Sequence, residues 1–199
     1  MGSAPTTGRG QASRQRIVDA ACDLFYRRGV SATGLGEVIT ASGTGKGQLY
    51  HYFEDKPDLV LAVIGAQAER TLEQQRGLIE AMSDARDLRD WAARAVEVHD
   101  DGPLVRCPLG SLVVELTESR PRQRAALQAA FDQWREALAT ALARLQRDGH
   151  VRTDRSAEDL AEILLCAYEG GIVLAEARGS TRSLRLALEA AVDGMLLPG

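Results

Sequence analysis

Gly43-Thr44-Gly45-Lys46-Gly47-Gln48-Leu49-Tyr50-His51-Tyr52-Phe53, followed by Asp55-Lys56-Pro57, decides the reading of this chain. A glycine-rich turn leads into a very short helix crowded with aromatics and hydrogen-bond donors. Asp55 then suits the N-cap of a longer helix, with Pro57 in the first turn and Asp58 three residues after the cap. A short helix that carries Lys46, Gln48, Tyr50 and His51 on its surface fills a core poorly. It suits a groove of DNA, where such side chains meet phosphates and base edges. Because another short helix and a turn precede it, the arrangement is helix-turn-helix.

Working outward, the glycine- and threonine-rich residues 1–12 read as a disordered arm. A first helix is expected from about Ser13 to Arg28, with Ile17, Ala21, Leu24 and Phe25 as its buried stripe and Gly29 as its stop. A second runs from Leu35 to Ser42, the third from Lys46 to Phe53, and the fourth to about Arg76. Helical periodicity continues near 85–99, 108–118, 121–148, 156–178 and 181–197. Leu127, Phe131, Trp134, Leu138, Ala141, Leu142 and Leu145 step by threes and fours along one face. Ser156 to Asp159 resembles a capping box. Leu160, Ile163, Leu164, Ala167, Tyr168, Gly171, Leu174 and Ala175 form the stripe of the eighth helix. No stretch alternates as a strand does, so the fold class is all-α. It comprises about nine helices: a three-helix helix-turn-helix head at 13–56, and a helical bundle at 57–199.

Composition narrows the function further. With 199 residues and 45% hydrophobic content the chain can bury a substantial core. The net charge of −4 is unevenly spread: residues 1–56 hold seven Lys/Arg against five Asp/Glu, whereas the remainder holds seventeen against twenty-three. A mildly basic head on an acidic body suits a protein that touches nucleic acid at one end. Cys22, Cys107 and Cys166 are odd in number and far apart, so neither a disulfide framework nor a metal site is expected. No apolar run reaches ~18 residues and no signal peptide opens the chain, which points to the cytoplasm and away from membranes.

Residues Gly29 through Lys56 resemble the DNA-binding segment of the TetR family of bacterial transcriptional regulators. The matching pieces are Phe25, Gly29, Thr33, the Val38-Ile39 pair, Gly43, Lys46-Gly47, the run Leu49 to Phe53, and Lys56. Cys107-Pro108-Leu109-Gly110 resembles the opening of the sixth helix in a subgroup of multidrug-type repressors. The chain departs from the family at Ile39, where a small residue is usual, and at Gly45, where a Ser or Thr cap is common. Gly34 and Gly36 flank the start of helix two, and glycine lowers helix stability by up to ~1 kcal/mol per interior position.

The resemblance implies that Lys46, Gln48, Tyr50 and His51 face the groove. The chemistry agrees: Lys46 suits a phosphate or a guanine edge, Gln48 an adenine, and Tyr50 and His51 phosphate oxygens or thymine methyls. Thr33, Lys56 and the N-terminus of helix four are expected to anchor phosphates. Leu49 and Phe53 belong inside, Tyr52 is open to either role, and Arg14 and Arg16 suit either DNA backbone or solvent. The family also implies a pocket among helices five to eight, for which the sequence offers His99, Cys107, Glu115, Phe131, Trp134, Tyr168 and Glu169. Aromatic walls with few polar groups fit an apolar or aromatic small molecule. Phe131 and Trp134 lie on the main stripe, so core packing is the favoured reading of those two. The last two helices are expected at a homodimer interface, through Leu164, Tyr168, Gly171, Leu184, Leu188, Ala191 and Met195.

These readings converge on a homodimeric repressor. It binds a palindromic double-stranded DNA operator and is released when a small-molecule effector displaces helix four and spreads the heads. One alternative keeps the head and senses thiol oxidation at Cys107 or Cys166, with Arg106 as the activating neighbour. A helical enzyme or scaffold is the other. No nucleophile-base-acid set appears, and Gly43 to Gly47 lacks the spacing of a phosphate loop. Neither catalysis nor a cofactor is therefore expected.

Overall fold

The computed structural model describes residues 8–100, 106–116 and 121–197. Among the described residues there are nine helices and no strand: α1 (Gly8–Arg28), α2 (Leu35–Ser42), α3 (Lys46–Tyr52), α4 (Lys56–Ala81), α5 (Ala85–Asp100), α6 (Pro108–Leu116), α7 (Pro121–Arg147), α8 (Ala157–Arg178) and α9 (Arg182–Asp193). The all-α class is as expected.

Three boundaries differ. Helix α1 starts at Gly8, so residues 8–12 are helical instead of part of an arm, while residues 1–7 of that arm lie outside the described set. A glycine inside a helix costs only ~1 kcal/mol, and packing of the stripe that begins at buried Ser13 holds the helix. Helix α4 continues to Ala81, carried by buried Ile79. Helix α9 stops at Asp193, because the chain beyond it pairs with the segment before α8. Arg152 N–H donates to the Met195 carbonyl at 2.9 Å and Leu197 N–H to that of His150 at 3.1 Å. The tail of the expected sixth helix, residues 117–118, lies outside the described residues.

The chain divides into two compact units that are discontinuous in sequence: Met1–Arg70 with Pro108–Ala130, and Thr71–Cys107 with Phe131–Gly199. The division falls inside α4, just before α6 and inside α7.

In the first unit, α1, α2 and α3 pack on one another. Ile17, Val18, Ala21, Cys22 and Phe25 recur at helical spacing and are buried with Val38, Leu49, Phe53, Leu59 and Val60. Each of the valine, leucine, isoleucine and phenylalanine side chains among them contributes ~1.5–3 kcal/mol of burial. Gly29 ends α1 with φ 85°, and Gly43 ends α2 with φ 63°, a left-handed conformation that costs glycine little. Asp19 of α1 pairs with Arg70 of α4.

In the second unit, α9 packs on α8 and α5. Trp91, Trp134, Leu138, Leu142, Leu145, Leu164, Leu184 and Leu188 are all but fully buried. Ser156 caps α8 through a bond from the Asp159 N–H at 3.0 Å, as its sequence signature suggests. The stripe expected on α8 is not all inward: Ile163 and Leu174 face solvent. Of the residues expected at a dimer face, Leu164, Tyr168, Gly171, Leu184, Leu188 and Met195 are buried within the single chain, and Ala191 is half-buried. Gly171 abuts Leu184 across the contact of α8 with α9, and Tyr168 meets His99 and Trp134. Among the described residues of α8 and α9, the exposed large apolar positions are instead Ile163, Val173, Leu174 and Leu186.

Candidate nucleic-acid interface

The turn before α3 is built from its own side chains. Ser42 Oγ donates to the Ile39 carbonyl at 3.1 Å and pairs with Thr44 Oγ1 at 2.7 Å, both hydroxyls being buried. Gly45 stands in extended conformation as the N-cap of α3, where a β-carbon is not required, and its N–H donates to Gln48 Oε1 at 3.1 Å. Gln48 thus closes the start of the helix, and its amide nitrogen is the part left to meet a base. The absent Ser or Thr cap is replaced by this bond.

Helix α3 is sharply two-sided. Leu49 and Tyr52 are buried, as is Phe53 just beyond the helix, which assigns Tyr52 to the core. Lys46, Gln48, Tyr50 and His51 are exposed, Tyr50 to 47%. Lys46 Nζ stands 6.0 Å from the Tyr50 ring centroid and Arg14 lies over the Phe53 ring at 5.2 Å. A large exposed tyrosine beside a lysine is poorly explained by stability alone, since its ring gains little burial there.

Two expected phosphate anchors are corrected. Thr33 is buried and its hydroxyl donates to the Gly29 carbonyl at 2.8 Å, closing the turn after α1. A hydroxyl so engaged does not reach DNA. The N-terminus of α4 is capped by the protein itself: Asp58 N–H donates to Asp55 Oδ1 at 2.8 Å, and Glu54 N–H to Asp58 Oδ2 at 3.3 Å. Two carboxylates at that end oppose a phosphate. Lys56, half-buried at the start of α4, helps hold the Glu37 carboxyl below the ordinary glutamate range. The larger causes there are the Gly34 N–H and Arg28.

The residues expected to line an effector pocket fall into three groups. His99, Phe131, Trp134 and Tyr168 come together in the second unit: His99 Nε2 and Tyr168 Oη are 2.9 Å apart, Trp134 meets Tyr168 edge-on at 5.0 Å, and Phe131 stacks on Trp134 at 6.5 Å. Burial holds His99 below the ordinary histidine range, opposed by the Asp100 carboxylate, which favours the neutral ring. Cys107 and Glu169 form the second group. The buried Cys107 thiol bonds to the Glu169 carboxyl, whose pKa burial raises and that bond lowers. Glu169 Oε1 is buried with no hydrogen-bond partner among the described residues. Glu115 stands apart: it accepts the Ser31 N–H at 3.0 Å in the first unit and is no part of either cluster. Its place in the middle of an apolar run gave no sign of that partner.

Sequence reasoning also missed Gln75, whose Oε1 accepts both Trp91 Nε1 at 3.0 Å and Trp134 Nε1 at 3.1 Å. A glutamine on an outwardly polar stretch of α4 has no distinguishing pattern, although two tryptophans in search of acceptors were a usable clue.

Comparison with known proteins agrees with this geometry. The family model described as bacterial regulatory proteins of the tetR family matches residues 17–63. That for the C-terminal domain of LmrA/YxaF-like transcriptional regulators matches residues 81–190. The chain is 27% identical over 167 residues to the HTH-type transcriptional repressor DhaR of Mycobacterium sp. strain GP1, covering 80% of each chain. To the HTH-type transcriptional regulator LmrA of Bacillus subtilis it is 26% identical over 181 residues, covering 87% of this chain and 92% of that one. A crystal structure of a TetR regulatory protein from Rhodobacter sphaeroides superposes with a TM-score of 0.81 at 25% identity, covering 92% of this chain and 98% of that chain.

Proposed function

Because the chain belongs to the TetR family of transcriptional regulators, and so binds DNA to regulate transcription, we propose that it is a homodimeric repressor whose hold on a palindromic operator is released by a small molecule. The observation that carries the DNA half is the two-sided α3, with Leu49 and Tyr52 buried while Lys46, Gln48, Tyr50 and His51 stand in solvent. Lys46 supplies phosphate attraction, and Gln48, Tyr50 and His51 supply the base-edge and sugar-phosphate contacts.

The homodimer is supported by Ile163, Val173 and Leu174 on α8 and Leu186 on α9, apolar side chains that a single chain leaves in water. A two-fold pairing places two recognition helices on successive major grooves, which is what a palindrome requires. The effector half is supported by the aromatic cluster of Phe131, Trp134 and Tyr168 with His99 bonded to Tyr168, a polar group of perturbed pKa against aromatic walls. An effector releases DNA only to the extent that it binds the non-binding arrangement of the heads more tightly. The thiol-sensing alternative is less well supported at Cys107, which is buried beside the Glu169 carboxyl and so is poorly accessible to an oxidant, than at the exposed Cys166.

Selection of duplexes from random DNA tests the reading. A palindromic site bound with a steep salt dependence is expected, and its absence counts against the assignment. Release of that site by one member of a panel of apolar and aromatic compounds tests the effector half.

A further inference from the structure

We propose that Glu115 is a positioning residue for DNA binding: from α6 it grips the turn between α1 and α2, the frame on which α3 stands. The proposal rests on the DNA-binding reading above and adds a means of adjusting it.

The turn from Gly29 to Gly34 closes most of its polar groups locally. Gly29 N–H donates to the Phe25 carbonyl at 2.9 Å, Thr33 Oγ1 to the Gly29 carbonyl at 2.8 Å, and Gly34 N–H to Glu37 Oε2 at 2.8 Å. Ser31 is different. Its N–H donates to Glu115 Oε2 at 3.0 Å, across 84 positions of sequence. A second observation is independent of that bond. A Cβ on Gly29 would lie 3.0 Å from Glu115 Oε1 and 3.1 Å from Oε2. The glycine therefore both adopts φ 85° and leaves the hollow in which the carboxylate sits. One carboxylate, Glu37, belongs to the head's own sequence and is tied to Arg28, while the other arrives from α6.

Helices α2 and α3 both pack on α1, so the turn that joins α1 to α2 sets the position of the helix pair that meets DNA. A charged acceptor on an exposed amide makes a bond strong enough to order a turn and weak enough to be withdrawn.

The test uses the full chain, a duplex that the wild type selects from random DNA, and two variants, Glu115→Ala and Glu115→Gln. Glu115→Ala is expected to bind that duplex about tenfold more weakly, the loss of one charge-assisted bond. Amide exchange over residues 29–34 of the free protein should quicken, with the thermal midpoint near wild type. Glu115→Gln keeps an acceptor oxygen and should recover most of both effects, which a merely bulky side chain would not do. Wild-type affinity in Glu115→Ala, or a glutamine variant as weak as the alanine one, overturns the proposal. A wild type that selects no duplex overturns the DNA-binding reading itself, and is thus distinguished from failure of this proposal alone.

Discussion

On α8, Gly171 meets the backbone of Leu184 on α9 so closely that a Cβ at the glycine would lie 2.6 Å from the Leu184 Cα and 3.0 Å from its Cδ1. Real side chains do not approach a Cα to that distance, so the two helices touch only because one position is bare. Leu184 itself is fully buried, as is Ala175 one turn on from Gly171.

Gly171→Ala should therefore destabilise the protein by ~1–3 kcal/mol through overpacking, although alanine is the better helix former by ~1 kcal/mol. Urea unfolding followed by circular dichroism measures it. Gly170→Ala is the control, because nothing stands within 4 Å of a Cβ there. It should be neutral or slightly stabilising.

Tyr50→Ala should weaken operator binding with little change in the melting midpoint, since the side chain is 47% exposed. Lys46→Ala should weaken binding to all duplexes alike and reduce the slope of log K against log salt by about one. Mobility shifts over a salt series separate the two effects.

Glu169 yields a pH prediction. Burial raises its folded-state pKa above the ordinary value, so between the two values the folded protein binds a proton that the unfolded chain does not. The buried carboxyl is tolerated below the unfolded pKa, and stability is lost as pH rises through the folded one. Glu169→Gln removes the ionisable group while keeping the acceptor for Cys107. It should be more stable than wild type near neutral pH, and the gap should close on acidification below the ordinary glutamate value of ~4.3. Paired unfolding curves across that range check the sign.

The three cysteines should separate under a thiol reagent. Cys166 is exposed, whereas Cys22 and Cys107 are buried, and burial pushes the Cys22 thiol up to about 11. Iodoacetamide at neutral pH should label Cys166 first and leave the other two until the protein unfolds, as peptide mass spectrometry would resolve.

Much of this molecule could be read without coordinates, for identifiable reasons. Helices with strong punctuation fell where expected: Gly43 in the left-handed region after α2, and Ser156 capping α8. The two-sidedness of α3 follows from Leu49, Tyr52 and Phe53 at steps of three and four. What sequence left open depends on partners far along the chain. Thr33 has the right chemistry for a phosphate, yet a carbonyl in its own turn takes the hydroxyl. Glu115 finds an amide 84 residues away. Helix α8 carries apolar residues on two sides, and counting them cannot say which side meets α9 and which remains outside. Helix α9 stops early because Met195 and Leu197 answer to residues 150–152, a pairing that no local periodicity encodes.

Both indoles of this chain converge on one oxygen, that of Gln75. With two tryptophans in all, the tryptophan emission of the protein originates at a single locality, where Trp134 also meets Tyr168 of the His99–Tyr168 contact. The chain thus carries a built-in optical reporter: a compound that disturbs this corner is expected to announce itself in tryptophan fluorescence without any label.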